Sequence, residues 1–171
     1  LIRSVIVCPT RFNAIIERWE SKGAVLAQGL AELLRGNLGL ARSASEGRPS
    51  LALRARGEVA SSCGSDEPVY FYIDKHGGRN TYAAMLHDAL PDGLVITHEE
   101  GMQRSVYRVT GLAHEVQLTF QPRADTAHLC VALASMISKY LRELLMHEFN
   151  RFWQEQVPGL KPTAGYPGDA A

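Results

Sequence analysis

Val69-Tyr70-Phe71-Tyr72-Ile73-Asp74-Lys75-His76-Gly77-Gly78-Arg79-Asn80 is the stretch on which the fold reading turns. Its first five residues are continuously β-branched or aromatic. That composition suits a strand covered on both faces, so a central strand is expected here. The strand ends at Asp74. Lys75 to Asn80 then make a glycine-containing basic turn, and Thr81 to Leu90 read as a helix capped by Asn80 or Thr81. Pro91-Asp92-Gly93 stops that helix.

Upstream of this unit, Val5 to Cys8 form a β-branched run stopped by Pro9, which reads as a short strand. Ile15, Ile16 and Trp19 fall at helical spacing. From Lys22 to Leu34, the residues Val25, Leu26, Leu30, Leu33 and Leu34 repeat at three and four, giving an amphipathic helix closed by Gly36. Residues 36–67 are dominated by Gly, Ser, Ala and Arg and read as a flexible insertion, with Leu51-Ala52-Leu53-Arg54 as a strand fragment.

Downstream, Leu94 to Thr97 reads as a strand. Ser105 to Thr110 and Glu115 to Phe120 alternate around Gly111, as a hairpin would. Ala127 to Gln156 is a long helix with Leu129, Leu133, Ile137, Leu141, Leu144, Leu145 and Phe149 on its apolar face. The tail, residues 157–171, is irregular, because its prolines favour extended backbone. Interleaved strands and helices with one antiparallel hairpin predict an α/β domain with a mixed sheet flanked by helices, spanning residues 1–156.

The 171 residues carry 18 Lys and Arg against 18 Asp and Glu, a net charge of zero, which excludes a broad basic carpet for nucleic acid but not a local basic patch. Apolar residues at 46% suffice for a core without disulfide staples. Cys8, Cys63 and Cys130 are odd in number and widely spaced, so free thiols in the reducing cytoplasm are expected, with no zinc-binding pair. No apolar run reaches the roughly 18 residues of a membrane span. The sequence lacks HExxH, GxSxG, GxxxxGK[ST] and GxGxxG, so zinc hydrolase, serine hydrolase and P-loop chemistry have no support.

Three features could carry chemistry. Asp74 stands at the carboxyl end of a strand, where open α/β sheets gather ligands and where a carboxylate can hold Mg²⁺. Gly77 and Gly78 would let backbone amides approach a phosphate, with Lys75, Arg79 and Asn80 beside them. The plainer alternative is an Asp that caps a turn or a helix. Asp125, two residues ahead of the long helix, is a second candidate and equally an ordinary helix-start acid. On that helix Ser135, Lys139 and Arg142 share one face, which could follow a phosphate backbone or simply be solvated. Glu99-Glu100 after a strand could add a metal ligand at Glu100, or be a polar turn.

The segment Asp125-Thr-Ala-His-Leu-Cys-Val-Ala-Leu-Ala-Ser135-Met-Ile-Ser-Lys139-Tyr-Leu-Arg142-Glu143 resembles the ribonuclease HII motif: an Asp, an Ala-rich helix start with Ala-Ser, then a Lys and an Arg-acidic pair. The strand ending in Asp74 resembles that family's earlier strand-end Asp. Glu20-Ser21-Lys22 lies where the family has Asp-Ser-Lys, and Pro158-Gly159 with Gly165-Tyr166 resembles its C-terminal segment.

The resemblance implies an RNase H-like fold. It also implies a monomeric endoribonuclease acting on RNA–DNA hybrids or on ribonucleotides embedded in duplex DNA, with Mg²⁺ or Mn²⁺. It makes Asp74 and Asp125 catalytic metal ligands, Tyr166 the residue packed on the ribose, and Ser135, Lys139 and Arg142 phosphate contacts. The family's first-strand acids have no counterpart here, since no Asp-Glu-x-Gly occurs near Arg3; they are expected upstream of Leu1 or are absent. A non-catalytic nucleic-acid-binding module on the same fold is the alternative.

Overall fold

The computed structural model describes residues 3–46 and 67–165. The chain divides into two compact units, Leu1–Ala124 and Asp125–Ala171. In the first, helix α1 (Pro9–Trp19) and helix α2 (Lys22–Glu46) precede strand β1 (Val69–Asp74). Helix α3 (Ala83–Ala89) and strands β2 (Leu94–Glu100), β3 (Ser105–Thr110) and β4 (Val116–Gln121) follow. The short helix α4 (Ala124–Ala127) begins at the boundary, and α5 (Leu129–Gln156) is the main element of the second unit.

The four strands form one mixed sheet in the order β1-β4-β3-β2. β3 and β4 are antiparallel neighbours, as the alternation around Gly111 predicts; β2 pairs antiparallel with β3, and β1 runs parallel to β4. This is the mixed α/β sheet expected from the sequence. Among the described residues, however, β1 is an edge strand, not a central one. Val69, Phe71 and Ile73 pack against the core while Tyr70 and Tyr72 are 54% and 40% exposed. Tyrosine explains the difference, since its aromatic body is as strand-forming as Phe but its hydroxyl tolerates water. A continuous apolar-looking run thus hides a two-faced strand.

The core lies between the sheet and the pair α2 and α3. Leu34, Leu86, Leu118, Val109 and Val116 are buried there. At its centre Tyr82 stacks on Phe120 with ring centroids 3.8 Å apart and planes 9° from parallel. Tyr107 meets both rings edge-on. Offset stacks and edge contacts of this kind add stabilisation beyond area burial. Arg35 on α2 ties the two helices together. Its Nε donates to the Ala89 carbonyl at 2.7 Å and its Nη2 to the Asp88 carbonyl at 2.8 Å, satisfying carbonyls at the end of α3.

Three local expectations are corrected. Residues 5–8 are not a strand: the chain there leads directly into α1, with Pro9 opening the helix as N-terminal prolines do. A β-branched run without a partner strand has no ladder to join. Helix α2 does not close at Gly36 but continues to Glu46. A single glycine costs a helix only about 1 kcal/mol, and here its missing Cβ makes room for the Arg3 guanidinium, whose Nη1 would lie 2.5 Å from an added Cβ. Residues 36–46 of the predicted insertion are therefore helical, and residues 47–66, with the fragment Leu51 to Arg54, fall outside the described residues. Finally, neither Asn80 nor Thr81 caps α3. Tyr82 is the N-cap residue and makes no side-chain cap bond.

In the second unit α5 spans 28 residues. The segment after it, which is irregular as predicted, lies back along the helix. Asn150 exchanges two hydrogen bonds with the Thr163 backbone, at 2.8 and 2.9 Å, and Gln154 donates to the Leu160 carbonyl.

Candidate functional site

The carboxyl edge of β1 holds the residues that the sequence singles out first. In the parallel ladder Asp74 stands opposite Gln121, the last residue of β4, and the Lys75 N–H continues the pairing onto the Gln121 carbonyl at 3.1 Å. The Asp74 side chain is directed beyond the end of β4. Its Oδ1 accepts the backbone N–H of Ala124 at 3.2 Å. The capping alternative for Asp74 is thus realised, on α4 and not on the helix that follows it in sequence. The other carboxylate oxygen makes no hydrogen bond among the described residues.

The turn after Asp74 takes its shape from Gly77 and Gly78, whose φ angles are +45° and +77°. Two successive left-handed residues strain any L side chain, so glycine is required there. Open space surrounds both positions. The basic residues flanking them point in different directions. Lys75 Nζ donates to the Gly101 carbonyl and to Asn80 Oδ1, the latter at 3.3 Å, so both Lys75 and Asn80 are spent on holding the turn. The Asn80 carbonyl in turn accepts the Ser105 hydroxyl at 2.6 Å. The Arg79 guanidinium instead lies against the start of α2, near Gly23.

Beneath the turn is a polar network that the sequence does not announce. The His76 N–H donates to the Tyr82 hydroxyl at 3.1 Å, and that hydroxyl lies 3.2 Å from the Arg79 carbonyl. The Tyr82 N–H donates to the Tyr107 hydroxyl at 2.7 Å, and Tyr107 donates to Glu100 Oε1. Burial, with the neighbouring Arg79 cation, lowers the His76 pKa against a smaller opposing pull from Asp74. The ring is therefore neutral at physiological pH, and its Nδ1 is buried with no hydrogen-bond partner among the described residues. Burial, reinforced by the bond to Glu100, pushes the Tyr107 hydroxyl well above its ordinary range. The Tyr107 hydroxyl takes its N–H donor from Tyr82, 25 residues away in the chain, so no local pattern in the sequence shows that link.

Glu100 is not brought to Asp74. It closes β2, with β3 and β4 standing between it and β1, and its carboxylate is occupied by Tyr107. Among the described residues, no group of three or more His, Cys, Asp or Glu side chains could hold a metal ion. The Asp74 carboxylate by itself suits a hard oxygen-seeking cation.

In the second unit Asp125 is exposed in the first turn of α4. Ser135, Lys139 and Arg142 share one face of α5, as their spacing predicts. Lys139 is exposed. Arg142 pairs with Glu143 at 2.9 Å and also donates to the Ala164 carbonyl, so part of that face is covered by the C-terminal segment. Tyr166 lies outside the described residues. Cys8 and Cys130 are free thiols, and among the described residues no helix is long and apolar enough to cross a membrane.

No family model, no curated protein and no solved structure matches the chain.

Proposed function

We propose that the protein is a metal-dependent phosphodiester hydrolase of the ribonuclease HII kind on an RNase H-like scaffold. Its substrates in this reading are RNA–DNA hybrids or duplex DNA containing ribonucleotides. The observation that carries the reading is the parallel pairing of β1 with β4, in register to Asp74 and Gln121. Parallel neighbours finish on the same edge of a sheet, and that edge is where open α/β sheets take their ligands. Asp74 is on it, and its carboxylate reaches the N–H of Ala124, the residue that precedes Asp125 in the chain.

Asp74 and Asp125 are the proposed ligands of Mg²⁺ or Mn²⁺. When bound, such an ion supplies an activated water and charge stabilisation at the leaving oxygen. Lys139, Ser135 and Arg142 are assigned to phosphates of the bound duplex. Tyr166 is assigned to the ribose, where the 2′-hydroxyl distinguishes RNA from DNA.

The test is cleavage, by the full-length protein with Mg²⁺, of a DNA duplex carrying one ribonucleotide. Asp74→Asn and Asp125→Asn should each lose activity while keeping the far-ultraviolet spectrum of the parent. Undiminished cleavage in both variants would remove the assignment. Salt-dependent binding of the duplex without cleavage in the parent would point instead to a non-catalytic nucleic-acid-binding module.

A further inference from the structure

A groove of about 900 Å³ opens in the first unit between α1, α2 and α3. It is separate from the strand edge that carries Asp74. Its floor is made of small residues: Ala24, Ala27 and Ala31 on one face of α2, and Ala84 on α3. Met85 lies beside them, and Trp19, at the end of α1, stands at the margin with 55% of its surface exposed. The volume is that of an ordinary small-molecule site, and an apolar lining with a few polar groups is the usual composition of one.

The charged residues of the groove are not equivalent. Arg11 is neutralised by Glu32 at 2.6 Å. Arg35 is committed to the two carbonyls that end α3. Arg79 lines the groove half-buried, and among the described residues its guanidinium makes no hydrogen bond and no ion pair. Gly23 gives it space, since an added Cβ there would stand 3.3 Å from Arg79 Nη2. A guanidinium left without a partner beside an apolar floor is matched by a planar anion that can accept two N–H bonds at once. Glu32 and Asp88 in the same lining disfavour a second negative charge.

We propose that this groove binds an amphipathic monocarboxylate, with the carboxylate on Arg79 and an aliphatic or aromatic body over the alanine floor. The occupant is a small molecule carrying one negative charge, recognised independently of any nucleic acid.

The probe is decanoate below its micellar concentration, with decanol as the uncharged control. Binding is followed by the fluorescence of Trp19 in a Trp153→Phe background, using the full chain. Decanoate should saturate the signal. Arg79→Gln should weaken decanoate by roughly tenfold or more, the worth of a charge-assisted pair, while changing decanol little. Ala84→Phe, which fills the groove from its floor, should abolish the response to both. No saturable response to decanoate would overturn the proposal, as would equal affinity in the parent and Arg79→Gln. Binding that survives Ala84→Phe would also overturn it, since the ligand would then sit elsewhere on the chain.

Discussion

The Asp74 carboxylate accepts the backbone N–H of Ala124 at 3.2 Å, across 50 residues of sequence. One oxygen atom thereby fixes how the chain leaves β4. A carboxylate at such a position serves both as a structural acceptor and as a candidate ligand, and the two roles separate by mutation.

Asp74→Ala removes the acceptor and should destabilise the first unit by about 1 kcal/mol, the net worth of such a bond. Asp74→Asn keeps an amide oxygen for the Ala124 N–H and should cost less, but it removes the charge a divalent cation needs. In urea titrations the order of midpoints should be parent, Asn, Ala. If Mg²⁺ raises the parent's midpoint, Asn should lose that increment although it is nearly as stable without the ion. An Asn variant that keeps the full Mg²⁺ increment would take Asp74 out of the ligand set.

Tyr107 is buried, and its hydroxyl accepts the Tyr82 N–H and donates to Glu100. Tyr107→Phe leaves a buried donor unsatisfied and should cost about 1–3 kcal/mol by equilibrium unfolding, although the ring is retained. Phe120→Ala removes the stacking partner of Tyr82 and opens a cavity, for an expected cost of about 3–5 kcal/mol. A Tyr107→Phe variant as stable as the parent would show that the hydroxyl pair contributes nothing.

Stability should also fall at both ends of the pH scale for traceable reasons. The folded state holds the His76 pKa below its ordinary 6.5, mainly through burial. The unfolded chain then takes up a proton that the folded chain resists. This contribution is intact above pH 6.5 and is lost as the pH falls through the folded value. Tyr82 is shifted the other way, raised above its ordinary 10.0 by burial. Its contribution is intact below pH 10 and is lost as the pH rises through the folded value. Urea midpoints measured from pH 8 down to 5 should fall in the parent and fall less in His76→Gln. Parallel curves for the two proteins would contradict the His76 assignment.

Two glycines should respond to alanine with opposite signs. At Gly36, inside α2, the added Cβ meets only the mobile end of Arg3, which can swing aside. Gly36→Ala should be neutral or stabilising by up to about 1 kcal/mol through helix propensity. At Gly93, ahead of β2, the Cβ would lie 2.5 Å from Val109 Cγ1, a buried core atom that cannot yield. Gly93→Ala should cost about 1–3 kcal/mol as overpacking. Thermal midpoints of the two variants should move in opposite directions, or Gly36→Ala should not move at all.

The local part of the fold was legible because it is written in periodicity. The hairpin around Gly111, the long helix ending at Gln156 and the strand ending at Asp74 each follow from spacing and residue type within one window. Gly36 misled because a propensity of about 1 kcal/mol is outweighed when the helix carries an Ala- and Leu-rich surface to pack. The run at residues 5–8 misled for the opposite reason: strand propensity is realised only where a neighbour supplies the ladder.

For the candidate site, the sequence by itself determined which residues stand at the end of β1 and that Gly77 and Gly78 would shape the turn behind them. Only the tertiary structure decided that β1 lies at the sheet edge beside β4, and that Lys75 is spent on Gly101 while Arg79 turns to the α2 groove. It also decided that Glu100 serves Tyr107 and does not join Asp74. The reason is range. Helix and strand patterns are set by neighbours a few residues away. The partner of a polar side chain is set by which distant segments the core brings together, here 25 residues apart for Tyr82 and Tyr107 and 50 for Asp74 and Ala124.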